Sequence, residues 1–127
     1  MTATARGATF REALDEHLGA LQARDVERFA ATLGSDAAVV DGGGAITRGT
    51  DAVLRSHAEW FAVPEPWTFD YAIVLTREMQ TSGLAVLDVT YRHTPDAAPS
   101  RFLLSLVFER GADGVFRFVY DQNTPLP

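Results

Sequence analysis

At 127 residues, with no cysteine and a net charge of −6, the chain reads as one domain that folds without disulfides, thiolate metal sites or a cysteine nucleophile. All eleven basic residues are arginine, which excludes a Schiff-base lysine, and no basic cluster offsets the acidic balance, which argues against a nucleic-acid partner. No stretch approaches the roughly 18 apolar residues of a membrane span, and the first nine residues lack the apolar core of a signal peptide, so a cytoplasmic protein with no membrane partner is expected.

Residues 1–8 are small and polar and read as a flexible N-terminus, with a single domain over 9–127. Thr9-Phe10-Arg11-Glu12 has the form of a capping box opening a helix, and Phe10, Leu14, His17, Leu18 and Leu21 then recur on one helical face. Asp25 suits the cap of a second, short helix, Val26 to Leu33, with Gly34 as its stop. A small hairpin follows, Val39 to Asp41 and Ala45 to Thr47, around Gly42-Gly43-Gly44. Thr50 or Asp51 is placed to cap a third helix, whose apolar face carries Val53, Leu54, His57, Trp60 and Phe61 and which Pro64 and Pro66 end.

From Trp67 the hydrophobic period changes to two. Four strands are expected, at 67–78, 84–93, 101–110 and 115–123, with connections short enough for antiparallel hairpins. Helices first and a meander afterwards is the pattern of an α+β fold.

Symmetric hairpins would set Asp88 opposite Ser105 and Ser105 opposite Phe118. One face would then carry Val86, Asp88, Thr90, Leu103, Ser105, Val107, Phe116, Phe118, Tyr120 and Gln122. The other would carry Leu87, Val89, Tyr91, Phe102, Leu104, Leu106, Phe108, Val115 and Val119. Both faces are largely apolar, yet three helices cover only one, so a homodimer through the outer sheet face is expected. A one-residue slip would move a whole set to the opposite face.

Asp41 ends the apolar run Ala37-Ala38-Val39-Val40 beside three glycines. A carboxylate there, next to backbone that can approach a ligand closely, suits a general base. The same residue equally suits the first position of an Asp-Gly turn. His17 lies within the apolar stripe of the first helix, either as a functional imidazole or as a core histidine bonded to a carbonyl.

The chain resembles the SnoaL-like and ketosteroid-isomerase-like proteins of the nuclear-transport-factor-2-like superfamily. The resemblance rests on the element order and on three motifs: Ala-Arg-Asp-Val-Glu-Arg-Phe (23–29), Ile-Thr-Arg-Gly-Thr-Asp-Ala-Val (46–53), and the tail Phe-Arg-Phe-Val-Tyr-Asp-Gln-Asn-Thr-Pro (116–125). It spans roughly residues 9 to 125 and implies an α+β cone, a curved antiparallel sheet packed on three N-terminal helices and enclosing a pocket. It also implies a cofactor-independent isomerase or cyclase acting on a hydrophobic cyclic or polyketide-like molecule, although the superfamily hosts non-catalytic binding modules and interaction proteins as well.

In that resemblance Asp41 falls on the catalytic aspartate of the ketosteroid isomerases, and His17 falls on their oxyanion-donating tyrosine. Ser105 falls where they keep a protonated carboxylic acid, a departure that leaves a weaker donor. Asp88 is placed to restore an acid beside Ser105, or else to pair with Arg101 or Arg92. Asp41 as base, with His17 and Tyr120 or Asp88 on the enolate oxygen, is the catalytic set implied. His57, Trp60 and Phe61 would face the pocket mouth, and Phe69, Tyr71, Phe118, Ser105 and Gln122 would line the sheet side against a flat ligand. No histidine spacing supports a metal, and no dinucleotide or phosphate-loop signature is present, so no cofactor is expected. Asp121, Gln122 and Asn123 read as strand termination.

Overall fold

A computed structural model describes residues 7–127. Of the N-terminal stretch 1–8, residues 1–6 lie outside the described residues; the Gly7 carbonyl accepts from the Phe116 N–H at 2.8 Å.

Helix α1 spans Phe10–Gln22, α2 Val26–Ala31 and α3 Thr50–Phe61. Thr9 caps α1 by accepting from the Glu12 N–H at 3.2 Å, and Asp25 caps α2 by accepting from the Arg28 N–H at 3.0 Å. α2 stops earlier than its apolar pattern suggests, because Leu33 already begins a strand. At α3 the expected side-chain cap is absent. Gly49, at φ 92°, precedes the helix, and the Thr50 hydroxyl instead donates to the Gly34 carbonyl at 2.6 Å and accepts from the Ala37 N–H at 3.1 Å. Thr50 thus ties α3 to the first strand rather than capping its own helix.

The strands are β1 (Leu33–Val40), β2 (Ile46–Arg48), β3 (Thr68–Glu78), β4 (Ser82–Arg92), β5 (Ser100–Arg110) and β6 (Phe116–Pro125), in one sheet of order β2-β1-β6-β5-β4-β3. The meander is antiparallel as expected. β1, however, runs parallel to β6, so the sheet is mixed: the chain returns through the whole meander before its last strand pairs beside the first. The curved, open sheet wraps the three helices in the α+β cone that the sequence implied.

Packing begins at the N-terminal end of α1. The Phe10 ring lies against Gly83 so closely that a Cβ there would overlap it, and it meets Phe108 edge-on at 5.4 Å between centroids. The core continues through Leu14, Leu18, Phe29, Val53, Leu87, Val89, Leu106, Phe108 and Phe118. Each such side chain stabilises the fold by about 1.5–3 kcal/mol on burial.

The sheet register decides which residues meet this core. Asp88 pairs with Leu103 and Val86 with Ser105, a slip of two from the symmetric hairpin that preserves the face. At β5–β6 the difference is larger. Ser105 pairs with Gln122 rather than Phe118, and between the Val107–Tyr120 and Phe108–Phe118 pairs Val119 is an extra residue. This β-bulge switches the phase of β6. Phe116 and Phe118 face inward before it, and Asp121 and Asn123 face inward after it. The inward set on β4 and β5 is Ala85, Leu87, Val89, Leu104, Leu106 and Phe108. Asp88, Ser105, Tyr120 and Gln122 therefore sit on the outer face. Their expected placement on one face with Phe116 and Phe118 is corrected by the bulge, which period-two reading could not register.

Candidate active site

Asp41 does not reach the inner face. It is exposed at the β1–β2 turn, where its Oδ1 accepts from the Gly43 N–H at 2.9 Å and the Ala45 N–H at 3.0 Å, while its carbonyl accepts from the Gly44 N–H at 3.0 Å. The glycine turn leaves these amides without strand partners, and the nearest carboxylate satisfies them. The expectation of one chamber shared by Asp41 and His17 is corrected accordingly.

His17 is buried, 2 % exposed, on the inner side of α1. Its ring stacks on Phe118 at 4.7 Å, lies 4.8 Å from Phe29 and meets Phe108 edge-on at 5.5 Å. Its Nδ1 is 2.7 Å from the Thr32 Oγ1, and that hydroxyl already donates to the Phe29 carbonyl at 2.7 Å. With the hydroxyl proton committed, the oxygen can only accept, so His17 carries its proton on Nδ1 and leaves Nε2 as a bare lone pair. Burial, and then the neighbouring His57, lower its pKa to about 3. At neutral pH His17 is thus an uncharged imidazole whose single N–H is already given away. The oxyanion-donor role expected of it lacks a free donor.

His57 stacks on Phe29 at 4.6 Å between centroids, with its Nδ1 donating to the Val53 carbonyl at 2.8 Å. Burial lowers its pKa as well, only partly offset by that carbonyl. The two imidazoles therefore share one phenyl ring as neighbour, both with Nδ1–H fixed by oxygen acceptors.

The residues expected as an aromatic wall are found in the packing of the inner face. Trp60, Phe61, Phe69 and Phe118 belong to the inner cluster or pack on it, and Tyr71 is half-buried beside them. Trp60 stacks on Trp67 at 4.4 Å and lies 6.0 Å from Tyr91. On the outer face, Asp88 is held by Arg101 at 2.6 Å, the ion pair given as its alternative, and the Tyr120 hydroxyl donates to the Gln122 Oε1 at 2.9 Å. Neither Asp88 nor Tyr120 is in reach of the inner face, because both lie across the sheet from it.

The residue missed by strand reading is Asp121. It is 6 % exposed, on the inner face of β6, between Val39 of β1 and Leu106 of β5 in register. Its contact with Asn123 is long, 3.4 Å from Nδ2 to Oδ1, and Asn123 spends its better bond, 3.0 Å, on the Val40 carbonyl. Burial pushes the Asp121 carboxyl up to about 7, against the smaller opposing pull of Asn123. Half-buried Val39, the partner of Asp121 on β1, and Leu54, Trp60, Tyr91 and Phe102 elsewhere along the inner face pack against the core. The signal is an i, i+2 polar pair, Asp121 and Asn123, at the polar end of a strand that begins largely apolar. Such a pair shares one face, and only the bulge fixes which.

A cleft of about 270 Å³ opens elsewhere, between Ala13 and Glu16 of α1, Ala31 and Thr32, and Val115 to Arg117; Asp121 is not among its lining residues. Among the described residues no cluster of three or more His, Asp or Glu could hold a metal ion, and no described helix is long and apolar enough to cross a membrane.

A SnoaL-like domain model matches residues 11–123. None of the curated proteins compared with the chain matches it. Several solved structures share its fold. A putative calcium/calmodulin-dependent protein kinase type II association domain from Thiobacillus denitrificans is 22 % identical, with 94 % of this chain and 96 % of that chain covered and a TM-score of 0.81. A putative dehydratase of the NTF2-like family from Streptomyces avermitilis is 15 % identical over 95 % and 96 %, with a TM-score of 0.78. A ketosteroid-isomerase-like protein from Erwinia carotovora atroseptica is 14 % identical over 98 % and 99 %, with a TM-score of 0.76. At these identities the structures share the architecture, and the match of the domain model over nearly the whole chain carries the assignment: the protein belongs to the SnoaL-like domain family.

Proposed function

We propose that this protein is a cofactor-independent acid–base enzyme of isomerase or cyclase type, acting in the cytoplasm on a hydrophobic cyclic or polyketide-like molecule, with Asp121 as the proton-transferring aspartate. One observation carries the reading: a carboxyl group on the apolar inner face of the cone, 6 % exposed and raised to about 7, with only a long contact to Asn123. Near neutrality such a group is divided between acid and carboxylate. It can therefore take a proton from carbon next to a carbonyl and return one elsewhere. Asn123, anchored on the Val40 carbonyl, fixes one side of the carboxyl and leaves the other oxygen for the substrate. The half-buried Trp60, Tyr91 and Phe102 suit the faces of a flat ring. Asp41, spent on its turn, has no part in this chemistry.

A second reading, a non-catalytic binder of the same ligand class, is favoured by the state of His17. With its N–H given to Thr32, the residue expected to stabilise an enolate oxygen has no free donor. The two readings separate with Asp121→Asn. Against cyclic ketones and phenols, loss of turnover by at least about a hundredfold with binding retained supports catalysis, in line with the usual contribution of a positioned general base. Unchanged turnover by Asp121→Asn removes the assignment.

We also propose a homodimer through the outer sheet face, where Leu103, Val107 and Tyr120 stand in register around Ser105 and Gln122. Its measurable consequence is a doubled mass in solution that Leu103→Arg abolishes.

A further inference from the structure

We propose that Arg24 is a latch: it holds the 62–67 loop shut over the aromatic end of the inner face, and its release opens a path for ligand. The inference rests on the preceding reading only for the statement that ligand binds at the inner face.

Arg24 occupies the α1–α2 turn with a left-handed backbone, φ 56°, which is uncommon for a side chain of this size. From there its guanidinium donates to three carbonyls of one remote loop, Val63 at 3.2 Å, Glu65 at 3.0 Å and Trp67 at 2.7 Å. It also lies 4.0 Å over the Trp67 ring. The contacts continue inward, with Trp67 stacked on Trp60 at 4.4 Å and Trp60 meeting His57 edge-on at 6.0 Å. Arg24, Trp67 and Trp60 thus form one column from the helix turn to the inner aromatic cluster.

The loop has little else to hold its backbone. Pro64 and Pro66 carry no N–H, and its own backbone bonds are local, Val63 N–H to Trp60 and Trp67 N–H to Glu65. The Glu65–His93 approach involves one carboxylate oxygen, Oε1, and at 3.9 Å to a largely exposed imidazole it is too long to matter.

Closure also leaves a debt. The Trp67 Nε1 and the Glu65 Oε2 are both buried without a hydrogen-bond partner. Two unsatisfied groups on adjacent non-proline residues oppose the closed loop, whereas the guanidinium favours it. Trp67 and Val63 pack the loop on the core, but one guanidinium holds its carbonyls against two orphaned atoms, so Arg24 is the side chain whose loss eases local opening.

Hydrogen exchange of the 62–67 loop and of β5, followed by mass spectrometry, tests this in the full chain. Arg24→Gln is expected to accelerate loop exchange by about tenfold or more while β5 keeps its wild-type rate, since only the local opening is eased. Glu65→Ala, which removes the buried unpaired oxygen and keeps the backbone carbonyl that Arg24 holds, is expected to slow it. The association rate of 2-naphthol, read by quenching of Trp60 and Trp67, the two tryptophans of the chain, should rise with loop exchange in Arg24→Gln. Unchanged loop exchange, or acceleration shared equally by β5, overturns the latch. Accelerated exchange with no faster 2-naphthol association overturns its control of access. Accelerated loop exchange in a protein that binds no 2-naphthol in either form leaves the latch standing and removes the inner-face ligand site instead.

Discussion

Replacing Asp121 by asparagine should make the protein more stable at alkaline pH while disabling it. The wild-type carboxyl titrates at about 7 in the fold and near 3.8 when the chain is open. Between those values the folded state holds a proton that the unfolded state has lost. The stability contributed by this group is therefore full below about 3.8 and is lost as pH rises through about 7. At 1.36 kcal/mol per tenfold change in an equilibrium constant, the gap amounts to about 4 kcal/mol, undiminished by solvent because the residue is 6 % exposed. Asparagine keeps the shape of the neutral acid and cannot ionise. Urea unfolding of both proteins from pH 4 to 9 is the assay. Near pH 4 the two midpoints should nearly coincide, and by pH 8 the variant should be ahead by several kcal/mol, up to about 4. A stability difference that stays flat across this range would refute the claim that Asp121 is held protonated by burial.

His17 should show the opposite trend. Its folded value of about 3 against 6.5 unfolded means that its stabilising contribution is full above 6.5 and lost as pH falls toward 3, by about 5 kcal/mol in all. His57, lowered in the same direction, adds to that limb. Between about 4 and 6.5 the histidine and Asp121 limbs run against each other, so wild-type stability should vary little there; melting temperatures of His17→Phe should fall with rising pH over this range, and those of Asp121→Asn should rise, whereas parallel curves for the two variants would contradict the assignment. Asp41→Ala should cost about 1 kcal/mol in chemical denaturation, for two exposed turn amides left to water, and should leave turnover and ligand affinity unaltered; a loss of activity would return Asp41 to the site.

The architecture was legible because its signals are local and redundant. Thr9 and Asp25 cap the helices they were expected to cap, and the change of period at Trp67 marks the meander to within a residue. The candidate site was not legible in the same way, because it depends on phase. A single extra residue, Val119, decides whether Tyr120 or Asp121 faces the core, and nothing in the local pattern announces it. Asp41 misled for a different reason. An aspartate before glycines is suited both to a ligand and to its own turn, and the unpaired amides of Gly43 and Ala45 settle that competition within four residues. For His17 the helix stripe placed the ring correctly, but its chemistry is set by Thr32, fifteen positions on, at the end of another helix. Arg24 stands in the 23–29 motif, but nothing in the sequence announces its role, since its partners are backbone carbonyls some forty residues away.

The account turns on the protonation of one buried carboxyl group. Carbon-13 NMR of aspartate-labelled protein, with the Asp121 signal assigned by its disappearance in Asp121→Asn, follows that group directly from pH 3 to 9. The expected midpoint lies near 7. A midpoint near 4 would contradict the reading and leave the inner face without the carboxyl group that the proposed chemistry requires.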